Sequence, residues 1–219
     1  MNPIESQMTQ LRLHGMARSF QALMETHQAL ELSLSDGLAL LLQAEHDERN
    51  NRRYARLRKN AAFRYPASVE QLSHSPARGL DKSLISRLAT ADYLEKGESV
   101  LITGATGCGK SFLASALGHH ACMQGYTVAY FNFQKLLLQT KLARAAGTIA
   151  RLFDHLAKTR LLILDDFGLT SLDANQRLDF LDIIEDRHAT HATIIASQLP
   201  VASWYDIIGE PSIADAILD

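Results

Sequence analysis

Residues 98–117 read ESVLITGATGCGKSFLASAL and decide the fold of this 219-residue chain. Residues 99–103 form a short apolar run suited to a buried strand, and glycines punctuate residues 104–110. From Ser111 onward, apolar residues recur with helical spacing. Four residues fill the pattern G-x-x-x-x-G-K-[ST], namely Gly104, Gly109, Lys110 and Ser111. The sequence therefore predicts a phosphate-binding loop between a strand and a helix.

The spacing of this loop suits a nucleoside triphosphate. Glycines let successive backbone N–H groups approach phosphate oxygens, and the following helix adds the positive end of its dipole. Lys110 is expected to reach the β- and γ-phosphates, and the Ser111 hydroxyl to bind Mg²⁺. We predict ATP contacts along the whole loop: Gly104, Ala105, Thr106, Gly107, Cys108, Gly109, Lys110, Ser111 and Phe112. A glycine-rich turn without a ligand is the alternative.

Length and composition limit the remaining possibilities. A mass of 24.2 kDa accommodates one α/β domain and a small appendage. Cys108 and Cys122 cannot form a disulfide framework, so a reducing cytoplasm is expected. No apolar run reaches the length of a membrane span, and residues near the start do not resemble a secretion signal.

The net charge of −2 conceals a basic stretch in the N-terminal third. Residues 11–45 predict two helices, with Ser33 or Ser35 as the N-cap of the second. Residues 49–64 hold seven basic residues and no acidic one. Five of them share one helix face: Arg49, Arg52, Arg53, Arg56 and Lys59. This face is interpreted as a sequence-independent contact to double-stranded DNA, with a solvated helix face as the alternative.

Two X-Pro steps predict the domain boundary, because proline disfavours helical geometry in the residue before it. Tyr65-Pro66 and Ser75-Pro76 place the boundary within residues 66–79. We therefore expect a helical domain over residues 1–70 and an ATPase core over residues 71–219. Leu80–Leu94 is predicted as one amphipathic helix that ends at Gly97.

A second strong signal follows the predicted strand at 126–131 and helix at 133–145. Residues 161–166 read LLILDD, which is typical of a buried strand that carries two carboxylates at its end. Asp165 is expected to hold Mg²⁺ through water, and Asp166 to act as a general base toward the attacking water. Such a pair on its own would more commonly open a turn.

Residues 173–186 predict a further helix, and residues 193–196 a further buried strand. Gln198 follows that strand and is expected to lie beside the γ-phosphate, where it orients water or reports on hydrolysis. The histidines lack a set of partners that would form a metal site. Trp204 and Tyr205 are candidates to stack on a base, although a lone aromatic pair is more often a core or subunit contact.

Together these stretches resemble the IstB family, the ATP-binding helpers of insertion-sequence transposition. The resemblance rests on the phosphate-binding loop and on six further segments: LHGMA at 13–17, ERNNRR at 48–53, YPA at 65–67, LLILDDFGL at 161–169, IASQLPV at 195–201 and GEPSIADAILD at 209–219. It implies an α/β fold of the AAA+ class, in which helices cover both faces of a parallel sheet behind a small helical domain. It also implies an ATP-dependent homo-oligomer on double-stranded DNA and a transposase partner similar to IstA.

Carried over by residue, Lys110 and Ser111 match the Walker A pair, Asp165 and Asp166 the Walker B pair, and Gln198 the sensor I position. The family class usually has glutamate where Asp166 stands, which puts the efficiency of hydrolysis in question. Only four strands are predicted, whereas the family core has five. The fifth strand, the distal lid and an arginine that acts on a neighbouring subunit are expected to be missing. Two residues are in-chain candidates for that arginine, namely Arg177 and Arg187.

Three functional hypotheses follow. The preferred one is an ATPase that helps transposition by assembling on DNA. The second is a helicase loader similar to DnaC, with a replicative helicase as its partner. The third is a small-molecule kinase that uses the same phosphate-binding loop, against which the basic stretch counts.

Overall fold

The computed structural model describes residues 2–26, 32–72 and 80–218. By its internal contacts the chain divides into two units, Met1–Arg56 and Leu57–Asp219. This division falls inside a long helix rather than within residues 66–79, because the segment after the helix packs into the second unit. Within that segment Ala67 is buried, and the Phe63 ring centroid lies 4.1 Å from that of His119. The predicted turn at Ser75-Pro76 lies outside the described residues.

Among its described residues, the first unit contains three helices: α1 (Pro3–Gln10), α2 (His14–Glu25) and the larger part of α3 (Leu34–Ala61). The second helix predicted within residues 11–45 corresponds to the start of α3. Its predicted N-cap is confirmed at Ser33, whose hydroxyl accepts the Asp36 N–H at 3.1 Å. Helix α1 was not predicted, and α3 continues through the whole basic stretch up to Ala61.

A buried carboxylate joins two helices of this first unit. Glu45 on α3 accepts the Gly15 N–H at 2.8 Å and the Met16 N–H at 3.3 Å, so it caps the start of α2 from another helix. A β-carbon on Gly15 would lie 2.3 Å from the Ala44 carbonyl oxygen. The LHGMA segment is therefore a site of close helix contact that only glycine permits.

The second unit contains the remaining elements of the described chain. Its helices are α4 (Lys82–Ala89), α5 (Asp92–Lys96), α6 (Lys110–Met123), α7 (Phe133–Ala145), α8 (Ile149–Lys158), α9 (Ala174–Glu185), α10 (Trp204–Ile208) and α11 (Pro211–Leu218). Its strands are β1 (Val100–Thr103), β2 (Val128–Asn132), β3 (Leu161–Phe167) and β4 (Ala192–Ser197). Short 3₁₀ turns occupy Val69–Gln71 and Val201–Ser203.

All four described strands lie in one parallel sheet with the order β1-β4-β3-β2. The predicted α/β class and parallel sheet are confirmed. Strands β3 and β4 are central and almost wholly buried, as their unbroken apolar sequences predict. Because the strands are parallel, their carboxyl ends meet at one edge of the sheet, where the loops after β1, β3 and β4 come together.

Helices cover both faces of this sheet. On one face α6 packs closely, and a β-carbon on Gly118 would lie 2.8 Å from the Ile163 Cδ1 atom of β3. On the other face an aromatic cluster joins α7, β3, α9 and α10. The ring centroids of Phe167 and Trp204 lie 4.5 Å apart in this cluster, and Trp204 is fully buried. Trp204 is therefore a core residue, as the more common interpretation of such an aromatic pair predicted.

Three local expectations need correction. The predicted helix over Leu80–Leu94 is two short helices, separated where Ala91 takes a left-handed φ of 64°. Helix α8 was not predicted at all. Arg187 is buried and donates to the carbonyl groups of Leu156, Thr159 and Ala192, near the end of α8 and the start of β4. Its interpretation as an arginine that reaches the ATP site of a neighbouring subunit is therefore wrong.

Burial lowers the pKa of Arg187 to about 10, which still leaves the guanidinium charged at neutral pH. The second in-chain candidate, Arg177, is half-buried and donates to the Ile208 carbonyl at 3.1 Å. Within the three described ranges, no helix has both the length and the apolar character needed to cross a membrane.

Candidate nucleotide-binding site

The predicted phosphate-binding loop joins β1 to α6, as the sequence indicated. Gly107 and Gly109 have φ values of 80° and 97°, a backbone region that side chains disfavour. Helix α6 begins at Lys110 immediately after this turn, so its first N–H groups point toward the loop. The backbone thus has the shape and polarity that bind phosphate.

Lys110 and Gln198 both lie at this loop. The Lys110 ammonium donates to the carbonyl oxygens of Gly104 at 2.8 Å and Ala105 at 2.9 Å. The Thr106 hydroxyl donates to the Gln198 side-chain oxygen at 2.7 Å, which ties the end of β4 to the loop. Gln198 therefore lies beside the loop, and its position next to the γ-phosphate stays a prediction.

Ser111 and Asp165 also meet at this edge of the sheet. The Ser111 hydroxyl donates to Asp165 Oδ1 at 3.0 Å, and the Asp165 side chain is 1% exposed. Hydroxyl and carboxylate oxygens are the donors that Mg²⁺ prefers, and such sites complete their coordination with phosphate oxygens and water. This pair therefore fits the ion that the sequence predicted.

Tyr130 is a buried partner of this pair that sequence reasoning missed. Its hydroxyl donates to Asp165 Oδ2, while Asp165 Oδ1 also accepts the Asp166 N–H at 3.0 Å. Burial, followed by the hydrogen bond to Asp165, raises the pKa of Tyr130 well above its ordinary value, so the hydroxyl stays protonated as a donor. The only sequence signal for this contact is that Tyr130 lies two positions before the end of β2.

Asp166 leaves the regular strand geometry. Its φ of 59° is left-handed, and the pairing of β3 with β4 shifts register between Leu164 and Phe167. Such a bulge re-aims side chains at the edge of a sheet. Asp166 Oδ2 accepts from Asn132 Nδ2 and from Arg64 Nη1, each at 3.0 Å.

A cavity of about 560 Å³ opens beside Asp166. Its polar lining comes from Arg64, Tyr130, Asn132, Lys135, Gln139 and Asp166. The carboxylate is thus accessible from this cavity, with an exposed side-chain fraction of 21%. The arrangement places a carboxylate and several nitrogen donors around a space large enough for water, and its lining comes from the segment after α3, β2, α7 and Asp166 rather than from the phosphate-binding loop.

The five predicted DNA-contacting residues all lie exposed on α3. Two of them already form ion pairs one turn away: Arg49 with Glu45 at 2.8 Å, and Arg52 with Glu48 at 3.1 Å. Arg18 on α2 also pairs with Glu48. The basic face therefore exists as predicted, but carboxylates partly neutralise its N-terminal half.

Taken together, the parallel sheet, the glycine loop and the paired carboxylates define a nucleotide-binding protein of the P-loop class. The chain belongs to the IstB-like ATP-binding protein family, whose model matches residues 6–219. The resemblance noted in the sequence is thereby confirmed.

Relatives in bacterial insertion sequences match most of the chain. A protein of Sinorhizobium fredii named as an insertion-sequence ATP-binding protein, y4pL, is 40% identical over 100% of this chain and 89% of its own length. A Pseudomonas fluorescens protein named for ATP binding in insertion sequence IS1162 is 43% identical over 89% of this chain and 85% of its own length.

Solved structures of replication proteins share the fold. The crystal structure of the DnaC helicase loader matches 70% of this chain and 93% of its own, with a TM-score of 0.59 and 19% identity. The replication initiator DnaA bound to AMPPCP and single-stranded DNA matches 71% of this chain and 49% of its own, with a TM-score of 0.60 and 20% identity. The chain thus spans about half of DnaA, and at these identities the likeness concerns the fold.

Proposed function

We propose that this chain is an ATP-dependent, DNA-binding ATPase that assists insertion-sequence transposition. It would oligomerise on target DNA and recruit or activate a transposase similar to IstA. The observation that carries this proposal is the Ser111–Asp165 contact of 3.0 Å at the phosphate-binding loop. The insertion-sequence names of the relatives support the biological setting.

In this proposal the loop and Lys110 bind the phosphates of ATP. Ser111 and Asp165 would hold Mg²⁺, which would neutralise phosphate charge when bound. Asp166 would accept a proton from the attacking water, and Gln198 would orient that water from the other side of the loop. These residues come from the ends of three strands, so the sheet holds them in a common geometry.

The basic face of α3 would contact the phosphate backbone of double-stranded DNA. Each guanidinium contact is weak and sensitive to salt, but several subunits side by side would add their contacts through multivalency. ATP would join the subunits, and hydrolysis would loosen the assembly during handover to the transposase.

The decisive experiment measures the molecular mass of the wild type and of Lys110→Ala, each with and without ATP and duplex DNA. We expect a nucleotide-dependent oligomer on DNA that the variant does not form. A wild type that stays monomeric under every condition would contradict the proposed assembly. Transfer of the γ-phosphoryl group from ATP to a small-molecule acceptor in the absence of DNA would instead favour a kinase.

The DNA contact needs a separate experiment. The triple variant Arg52→Gln, Arg53→Gln and Arg56→Gln should weaken binding to duplex DNA and reduce the slope of log K against log salt by up to about 3. A matched control removes three exposed charges elsewhere, with Lys141→Gln, Arg151→Gln and Lys158→Gln on α7 and α8. Equal losses in both variants would refute a specific basic face.

Pull-downs separate transposition from helicase loading. The preferred function predicts capture of a transposase and ATP-dependent binding to duplex DNA. Capture of a replicative helicase together with a preference for single strands would favour the loader hypothesis.

A further inference from the structure

The segment from residue 62 to residue 67 contributes an arginine to the ATP site that neither the motifs nor the family comparison assigned. Arg64 Nη1 lies 3.0 Å from Asp166 Oδ2 and 3.6 Å from Asp165 Oδ2. Arg64 is separated from Asp166 by 102 positions in the sequence, so only the tertiary structure reveals the contact.

The neighbours of Arg64 fix its position. Phe63 packs on α6, where a β-carbon on Gly118 would lie 2.4 Å from the Phe63 ring. On the other side, His119 Nε2 lies within hydrogen-bond distance of the Tyr65 carbonyl oxygen, at 3.0 Å. The Arg64 guanidinium lies over the Tyr65 ring at 5.4 Å. Both residues flanking Arg64 are thus anchored to α6.

The guanidinium itself remains free to leave the carboxylates. Its side chain is 48% exposed, and it borders the cavity of about 560 Å³ beside Asp166. The Asp166 side chain is 21% exposed, so water reaches both groups of this pair and the guanidinium can leave by a side-chain rotation while the backbone stays anchored.

The contact involves the carboxylate that the proposed chemistry needs. Asp166 Oδ2 already accepts from Asn132 and from Arg64, and these two donors occupy its lone pairs. During hydrolysis the water oxygen bonds to the γ-phosphorus, and the bond from that phosphorus to the β,γ-bridging oxygen breaks. ADP then leaves, and the water proton passes to the general base. While Asn132 and Arg64 hold Oδ2, the carboxylate must break these hydrogen bonds before it can turn toward that water.

We propose that Arg64 is a positioning residue that restrains Asp166 in the resting chain, and that hydrolysis speeds up when the guanidinium leaves. This regulation rests on the proposed ATPase function. Helix α3 ends at Ala61, three residues before Arg64, so the restraint is made by the last residue of the basic stretch at 49–64.

The test compares steady-state ATP hydrolysis by the wild type, Arg64→Gln and Arg64→Lys. Removal of the charge should raise kcat about two- to fivefold, the range expected for an exposed ion pair, and leave KM within about twofold. Arg64→Lys keeps the charge and should stay near the wild-type rate. Arg151→Gln makes the same substitution at an exposed position on α8 and should leave kcat unchanged.

A kcat for Arg64→Gln that equals or falls below the wild-type value overturns the restraint, as does an Arg64→Lys variant as fast as Arg64→Gln. Binding of a fluorescent, non-hydrolysable ATP analogue, with Lys110→Ala as the negative control, tests the nucleotide site separately. Normal binding together with an unaccelerated Arg64→Gln rejects the restraint alone. Absence of Lys110-dependent binding in the wild type rejects the ATP site.

Discussion

Tyr130→Phe is the substitution that most directly tests how the core holds the carboxylate of Asp165. It removes one hydroxyl and almost no volume, so the packing of β2 is kept. Asp165 Oδ1 retains its donors from Ser111 and from the Asp166 backbone, at 3.0 Å each. Asp165 Oδ2 loses its tyrosine donor and keeps only Arg64, at 3.6 Å.

The loss of unfolding free energy expected for Tyr130→Phe follows from the donors that Asp165 keeps. A buried charged acceptor that loses its partner costs about 1–3 kcal/mol, and the distant guanidinium places the value toward the lower end, about 1–2 kcal/mol. For a chain of this size such a loss lowers Tm by roughly 2–8 °C.

Thermal unfolding followed by circular dichroism measures this loss. Tyr126→Phe is the matched control, because the Tyr126 hydroxyl also donates to a carboxylate, that of the exposed Glu95. An exposed pair of this kind should contribute less than about 1 kcal/mol. If Tyr130→Phe destabilises the protein no more than Tyr126→Phe does, the buried hydrogen bond does not support Asp165 as argued.

Three further predictions address the first unit and the chemistry. Gly15→Ala should destabilise by about 1–3 kcal/mol, because the new methyl group meets the Ala44 backbone, whereas Gly37→Ala, in open space on α3, should stabilise by about 0.5–1 kcal/mol; chemical denaturation compares the two. Burial alone would raise the pKa of Glu45, but the hydrogen bonds it accepts outweigh that effect and leave the pKa below its ordinary value. At pH values above the ordinary glutamate pKa of 4.5, the wild type should therefore be more stable than Glu45→Gln. This advantage should disappear as the pH falls below 4.5, which urea denaturation from pH 3 to pH 7 would measure. Asp166→Asn should slow hydrolysis by at least about 100-fold while the affinity for a non-hydrolysable analogue stays within about threefold; a variant that retains most of its rate would exclude Asp166 as the base.

The local signals in the sequence predicted the main elements of the core well. Residues 98–117 form β1, the loop and the start of α6 in the predicted order, and all four predicted strands lie in the sheet. These elements depend on spacing over a few residues, which an apolar run or a glycine pattern records directly. Helix α8, which was not predicted, has a local signal of the same kind, because its apolar residues recur with helical spacing at Ile149, Leu152, Phe153 and Leu156.

Other outcomes depended on contacts between distant residues. The apolar pattern from Leu80 to Leu94 suits one helix, but the helix is interrupted at Ala91, whose backbone is left-handed. Arg187 reads as a charge at a helix end, yet four hydrogen bonds to neutral oxygens hold it inside the core. No short pattern distinguishes a buried arginine from an exposed one, because its partners lie on other elements.

The residues of the candidate site also fall into two groups, those predicted from short motifs and those placed by tertiary contacts. The sequence by itself predicted that Lys110, Ser111 and Asp165 serve nucleotide binding, because each occupies a fixed position in a short motif. Only the tertiary structure placed Tyr130 on Asp165 and Arg64 on Asp166, 35 and 102 positions apart in the chain. A motif is a property of neighbouring residues, whereas these hydrogen bonds exist only once the parallel strands and the segment after α3 have packed at the same edge of the sheet.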